Sequence, residues 1–470
     1  MYVKESVKLH SAEQLEIKQE IGIDPKLSKS RYRVESYFFF PAALNITPET
    51  CSNADFRRPL KNYVRIRLPR PPLEVFQSGG RERVRLAALL ADPQASPEER
   101  SAALKRYALL LKGSLKRAVS RLLSKKGAER REGVVRLVDE LRRTLDGTLP
   151  VLAAAARDPN PQVAMTAEAA DEYLAVVMEY HAKRLLSGST PELRLFLEEA
   201  VRRREREHPE SVASRRPEDM LYRWRSLKKF ISSQLFLSVR MRRGNPWLQQ
   251  SIYGFAAAVS MIFATVVAFL WQERYGSLSL NLFLALVVAY IFKDRLKDWM
   301  RQSLSKLLRR WLPSRRQIIC ANDGRRVGLC RESFDFVPRA ETPPEILALR
   351  TKAHYVPFAQ EDTETIFLHR KEVELQNARI HSYENDSSLY DITRIGILPW
   401  TANIDLQFEE LPFADEDDER AHRRVEKLYH VYLVRRIQVE NPKRERFEVT
   451  RLVLKHHGLK AVERVLAEDR

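Results

Sequence analysis

The feature that most constrains this chain is a run of twenty residues, 252–271, without a single charge. At about 1.5 Å of rise per helical residue, such a run crosses the roughly 30 Å hydrocarbon core of a bilayer. A second uncharged run of fifteen residues, 278–292, follows after six residues that include Gly276. It is short for a span, and Ser277 and the stem of Lys293 are needed to extend it. A span followed by a tight turn must return. The pair is therefore expected to form a transmembrane hairpin, with helix 1 at 251–271, an external loop at 272–277 and helix 2 at 278–293.

Basic residues orient this hairpin. Thirteen Lys and Arg lie in residues 201–250 and nine in residues 293–316, against Arg274 alone in the loop. Strongly positive flanks stay inside, so both termini are expected in the cytoplasm. Trp247 and Trp271 flank the first span, where interfacial aromatics belong. The first twenty residues are charged throughout and do not read as a signal peptide, so insertion must be directed from within the chain. Within the spans, Ala256, Ser260, Ala264 and Ala268 recur every four residues, as do Asn281, Ala285 and Ala289. Small residues at that spacing let helix backbones approach closely in lipid, within one chain or between two. Neither span carries Asp, Glu, Lys or Arg, which leaves a proton or ion pathway without a carrier.

The basic flanks have a pattern of their own. Leu296, Trp299, Met300, Leu304, Leu307, Leu308, Trp311 and Leu312 fall at helical spacing, which stops at Pro313. Lys297, Arg301, Lys306, Arg309 and Arg310 lie between them. Residues 294–312 thus read as a basic amphipathic juxtamembrane helix, with Trp299 and Trp311 among the headgroups. Each cation near an anionic surface contributes about 1 kcal/mol. Residues 217–243 read as a similar basic helix, on Met220, Trp224, Leu227, Ile231, Leu235 and Val239. The whole chain carries 81 Lys and Arg against 62 Asp and Glu, a formal +19 that calls for an anionic partner. Concentrated beside the spans, this charge points to anionic lipid headgroups. Nucleic acid is disfavoured, because no recognition motif accompanies the charge.

Outside the membrane segments, residues 1–77 contain strands at 31–40 and 62–68, placed to complete a C-terminal sheet. Residues 81–208 read as a helical bundle. Helix starts are marked by Ser96-Pro97-Glu98 and Thr190-Pro191-Glu192, and Asp158-Pro159-Asn160-Pro161 is a break. Residues 315–470 read as a β-rich cytoplasmic domain with a short helix at 459–466. The expected class is an α+β membrane protein, a two-helix transmembrane hairpin with a helical bundle before it and a mainly antiparallel β domain after it.

Chemistry-bearing motifs are missing from the sequence. There is no glycine-rich phosphate loop, nucleophile elbow, zincin helix or kinase set. Cys51, Cys320 and Cys330 are too few and too spaced for a disulfide framework or a zinc site. His422 and the pair His456-His457 read as solvated, and the acidic run 415–419 lacks calcium-loop spacing. No catalytic residue, metal ligand or cofactor is expected. The segments Tyr37-Phe38-Phe39-Phe40-Pro41, Asp55-Phe56, Tyr63-Val64-Arg65, Asp171-Glu172-Tyr173-Leu174 and Ile291-Phe292-Lys293-Asp294-Arg295 resemble a family of uncharacterised bacterial two-span inner-membrane proteins. The resemblance implies a bacterial inner (plasma) membrane and supplies no activity. The expected function is a membrane-anchored cytoplasmic scaffold or signalling protein acting through protein–protein contacts. Its partners are the bilayer, other proteins and a second copy of the chain. Alternatives are an oligomeric hairpin forming a transport or channel element, and a membrane-bound enzyme whose site one sequence does not display.

Overall fold

Alternation of buried and exposed residues runs through strand after strand, and it leads to one large sheet. The computed structural model describes residues 3–22, 26–186, 190–211, 216–242, 246–275, 280–311, 315–321, 324–353, 364–381, 388–402, 404, 407–410, 424–440 and 444–469. Its strands are β1 (Val3–Ser11), β2 (Gln14–Gly22), β3 (Lys29–Phe40), β4 (Lys61–Arg67), β5 (Phe236–Arg242), β6 (Arg315–Cys320), β7 (Arg326–Phe336), β8 (Thr365–Gln376), β9 (Ser388–Gly396), β10 (Phe408–Glu410), β11 (Arg424–Glu426), β12 (Tyr429–Val439), β13 (Arg444–Lys455) and β14 (Gly458–Asp469). The α-helices are α1 (Asn53–Arg57), α2 (Arg81–Ala91), α3 (Pro97–Leu123), α4 (Gly127–Ala155), α5 (Pro161–Lys183), α6 (Pro191–Glu207), α7 (Pro217–Ser232), α8 (Pro246–Tyr275), α9 (Leu280–Trp311), α10 (Pro344–Lys352), α11 (Asn377–His381) and α12 (Leu398–Thr401). Two units divide the chain. One holds Met1–Tyr63, Ser238–Arg379 and Asp391–Arg470, and the other holds Val64–Leu237 and Ile380–Tyr390.

In the first unit, antiparallel strands form a barrel-like sheet. The full twelve-stranded order is β1-β2-β9-β4-β5-β6-β7-β8-β3-β12-β13-β14. The N-terminal strand β3 lies between β8 and β12, pairing from Lys29 with Gln376 to Phe40 with Thr365 on one side. The outermost strands, β1 and β14, nearly close the barrel: the Leu459 N–H donates to the Ala12 carbonyl at 2.6 Å. Gly458 permits that approach. Its φ is +123°, and a Cβ there would lie 2.1 Å from the Ala12 oxygen.

Period-two alternation decides what the barrel encloses. Leu15, Ile17, Phe38, Phe40, Phe334, Phe367, Ile395, Leu433 and Leu452 come from different strands yet form one buried cluster. Trp400 of α12 packs edge-on against Phe38 and Phe40, at 5.4 and 5.2 Å between centroids, and Phe56 of α1 stacks on Phe367 at 3.7 Å. Each such side chain contributes roughly 1.5–3 kcal/mol by burial. On the opposite face, Tyr37, Phe39, Ile366, Tyr432 and Phe447 are covered by Ile346 and Leu349 of α10.

The fold departs from the expected class. Strands from before, between and after the helical segments interleave in one sheet, so there is no separate β domain following a bundle and a hairpin. Among the described residues, one helical stretch is long and apolar enough to cross a membrane, Tyr253–Glu273 in α8. The two-helix transmembrane hairpin is therefore not supported. The second apolar run offers only residues 280–292 within α9 before Lys293, Asp294 and Arg295, roughly 20 Å of helix against a 30 Å core. It also continues without a break into residues expected to form a separate surface helix. Residues 217–243 are not one helix either. After Ser232 the chain passes through a short turn at Ser233–Leu235 into β5, where Val239 satisfies strand pairing as well as the expected helical spacing. Residues 459–466 form part of β14 instead of a helix, paired with β13.

The second unit is helical. Helices α2 to α7 enclose Leu73, Phe76, Leu104, Tyr107, Leu111, Leu141, Tyr173, Phe196 and Ile231. Ser96 and Glu99 cap α3 reciprocally, the Glu99 N–H donating to Ser96 Oγ at 3.2 Å and the Ser96 N–H to Glu99 Oε2 at 2.9 Å. Asn160 and Thr190 cap α5 and α6, each followed by proline in the first turn.

Candidate membrane-anchoring site

Strands β5 and β6 pair from Ser238 with Cys320 to Arg242 with Arg316, and α8 and α9 are inserted between them. The start of α8 and the end of α9 are thus tied to the same end of one strand pair. The two helices pack along each other. Ala256, Ser260 and Ala289 are buried in that contact, with Ala264 and Ala268 half-buried. The Ser260 hydroxyl donates to the Ala257 carbonyl at 2.9 Å and that of Thr265 to the Met261 carbonyl at 2.9 Å. Their polarity is spent inside the helix, which suits an apolar medium. Asn281 and Ala285 belong to α9, but their side chains lie outside the described residues.

The outer faces are bare. Phe255, Ile262, Phe269 and Leu270 of α8 and Phe283, Ile291 and Phe292 of α9 are all exposed. Contiguous apolar surface of this kind marks an interaction with a membrane or a protein. Toward the base of the pair the character changes. The Arg301 guanidinium sits 3.8 Å from the Tyr253 ring centroid, and Lys297 and Trp299 are exposed. Lys306, Arg309, Arg310 and Trp311 continue the same helix, with side chains outside the described residues. Residues 272–275 of the expected loop are the last residues of α8; Gly276, Ser277, the acidic run 415–419 and His422 also lie outside the described residues.

A second feature was not anticipated from sequence. Beyond the apolar cluster, the inward positions of the barrel strands carry charge. Lys371 Nζ donates to Asp391 Oδ1 at 2.6 Å and to Thr393 Oγ1 at 3.0 Å, and the Tyr32 hydroxyl donates to Asp391 Oδ2 at 2.7 Å. Burial alone would discharge Lys371, but Asp391, Cys330 and Glu332 outweigh it and raise the pKa. Burial, reinforced by Asp391, pushes the Tyr32 phenol well up. Next to this group, Glu332 Oε1 accepts from Asn62 Nδ2 at 2.8 Å and meets His369 Nε2 at 3.2 Å. Burial opposes the charge on Glu332, but His369 and Lys371 prevail and hold the carboxyl at about 2. Across the barrel, fully buried Arg435 bonds Glu448 Oε2 at 2.7 Å and also Glu5, which accepts from Gln19 at 3.1 Å. Arg464 adds a second cation to Glu448 at 2.7 Å.

These groups make an internally paired belt. Each carboxylate faces a cation, or in Glu332 a histidine and, at 3.8 Å, Arg315. Cys330 is buried, which raises its thiol pKa and keeps it protonated and unreactive. Cys51 and Cys320 are buried free thiols as well. The described residues contain no group of three or more His, Cys, Asp and Glu suited to a metal ion. One signal of the belt was present in the sequence: His369 and Lys371 share the two-residue phase of Phe367, Val373 and Leu375. Compared with known proteins, the chain matches no family model, no curated protein and no solved structure.

Proposed function

We propose that the protein is a membrane-anchored scaffold that holds its two folded units at the bilayer surface and works through protein–protein contacts. The observation that carries this reading is the bare apolar surface of α8 and α9, set over a basic base. Exposed Phe, Ile and Leu at this density are stable in lipid and unstable in water. The stretch Tyr253–Glu273 of α8 is the part that enters the membrane, and the cations beside its base favour the cytoplasmic side for that base. Lys297, Arg301 and Trp299 then lie at the headgroups. The matched belt supports a structural role for the barrel over a conducting one, since its charges are spent on one another.

The register of β5 and β6 supplies the test. Replacing residues 243–314 by a short Asn-Gly turn removes the helix pair while preserving the strand pairing. The parent protein is expected to resist alkaline carbonate extraction from membranes, and the shortened protein to be soluble with its β signal intact. Carbonate release of the parent, or membrane retention of the shortened protein, would overturn the anchor. Chemical crosslinking in cells should join the parent to other proteins through its folded units; a parent with no crosslinked partner would refute the scaffold.

A further inference from the structure

In the helical unit, several arginines are matched. Arg106 meets Glu82 at 3.1 Å, Arg203 meets Asp171 at 2.7 Å, Arg204 meets Glu179 at 2.7 Å and Arg223 meets Glu172 at 2.7 Å. Another set of cations is not paired in this way. Lys112 and Lys116 stand four residues apart on one face of α3, Lys228 lies on α7 and Arg65 on β4. Among the described residues, none of these four forms an ion pair.

Lys112 reaches an aromatic platform, and Lys228, Arg65 and Lys116 lie near enough to act on that lysine. Lys112 Nζ donates to the Tyr173 hydroxyl at 2.7 Å, and the Tyr173 ring stacks on Trp224 of α7 at 5.5 Å. Lys112 is half-buried; burial first, then Lys228, Arg65 and Lys116, lowers its pKa to about 8. Arg65 is also half-buried, and its Nε is shielded from solvent without a hydrogen-bond partner. Tyr173 and Tyr390 are the acidic groups that act on Arg65, and burial keeps the Tyr173 phenol protonated. His181 records the same field: burial, then Arg184, Lys112 and Lys116, depresses its pKa to about 4.

Clustered like charges without a counter-charge are costly, and a bound anion relieves that cost. We propose that Lys112, Lys116, Lys228 and Arg65, gathered around Tyr173, form a binding site for a phosphate-bearing anion. Several convergent cations favour a multiply charged group over a single carboxylate. Ammonium and guanidinium donors suit phosphate oxygens, and the Tyr173 hydroxyl is free to turn its own proton toward one. Lys116 and Lys228 are exposed, so the site is open to a soluble phosphate compound or to a phospholipid headgroup. An anion beside Lys112 raises its pKa, so binding takes up protons and weakens as pH rises through about 8. The inference is independent of the membrane anchor.

The test uses the full chain in phosphatidylcholine nanodiscs titrated with inorganic pyrophosphate, and separately in discs containing phosphatidic acid without pyrophosphate. Hydrogen exchange of residues 105–119 is the readout. Saturable protection by pyrophosphate, at least tenfold weaker in Lys112→Gln and Lys228→Gln and weaker at pH 9 than at pH 7, supports a soluble source. Protection confined to phosphatidic acid discs and lost in the same variants supports the headgroup. Arg142→Gln, at an exposed arginine that pairs with Glu199 at 3.2 Å, should leave either response unchanged. Lys228→Gln alters an exposed side chain and keeps the test valid if Lys112→Gln fails to fold. Protection by neither probe, or equal protection in the two lysine variants, overturns the site.

Discussion

Replacing Arg435 by Met should damage the barrel through what it leaves behind. The Arg435 side chain has no solvent exposure and bonds Glu448 at 2.7 Å as well as Glu5, whose side chains are 4% and 0% exposed. Methionine fills much of the volume but strands two carboxylates, with only Arg464 left beside Glu448. Removing one member of a buried ion pair costs about 3–5 kcal/mol, because the remaining charge stays desolvated. Hydrogen exchange of residues 429–439, measured on the full chain in detergent, isolates β12 from the helical unit. The expected loss corresponds to roughly 10²- to 10⁴-fold faster exchange. The stranded acids should escape by taking up protons, which raises their folded pKa above the unfolded value. Their contribution is then present at low pH and lost as pH rises, so the variant should lose less stability at pH 5 than at pH 8. Adding Glu5→Gln and Glu448→Gln should recover most of the loss, since neutral groups carry no such burial penalty. A loss below about 1 kcal/mol, or the same loss at both pH values, would show that Arg435 does not neutralise the belt.

Two further outcomes follow from the same physics. Glu332 titrates at about 2 in the folded protein, below the ordinary glutamate value, so its contribution is present above that ordinary value and is lost as pH falls toward 2; Glu332→Gln should flatten acid-induced loss of β-sheet signal over pH 5 to 2, and an unchanged acid profile would count against its charged state. In the helix pair, Ala256→Leu should cost about 1–3 kcal/mol of packing because Ala256 is fully buried, whereas Ile262→Leu on an exposed face should cost almost nothing; cysteine crosslinking between α8 and α9 in a background without the native thiols measures both, and equal crosslinking in the two variants would contradict the packing face.

Local pattern made many elements legible, but it did not make their partners legible. Phe38 and Phe40 announce a buried strand in any context, yet nothing near β3 says that β8 and β12 will flank it. The Tyr32–Asp391 bond joins residues 359 positions apart. Segments with double meaning went to the state that tertiary pairing stabilised. The sequence Ala461-Val462-Glu463-Arg464-Val465-Leu466-Ala467 contains good helix formers, but pairing with β13 makes it a strand. Met220, Trp224, Leu227 and Ile231 are spaced for a helix and lie in α7; Leu235 and Val239 keep that spacing while the chain has already left it. The second apolar run was misleading for a simpler reason. Lack of charge over a short stretch does not supply the length that crossing a bilayer requires.

Charge was the least legible property, because counting sums what the fold separates. The formal +19 drew attention to the cations beside the apolar helices. Yet in the barrel Arg435 and Lys371 are consumed by Glu5, Glu448 and Asp391, and in the helical unit Arg203 and Arg223 are consumed by Asp171 and Glu172. Those matched groups add nothing to a field outside the molecule. Lys112 is different, since burial and then Lys228, Arg65 and Lys116 depress its proton affinity where carboxylates would have raised it. A sequence cannot sort the two classes, because an arginine looks the same whether an acid from a distant strand reaches it or not. The sorting sets where an anion can bind: beside unmatched cations, whose repulsion it removes, and not along the more numerous basic residues whose charge is already spent.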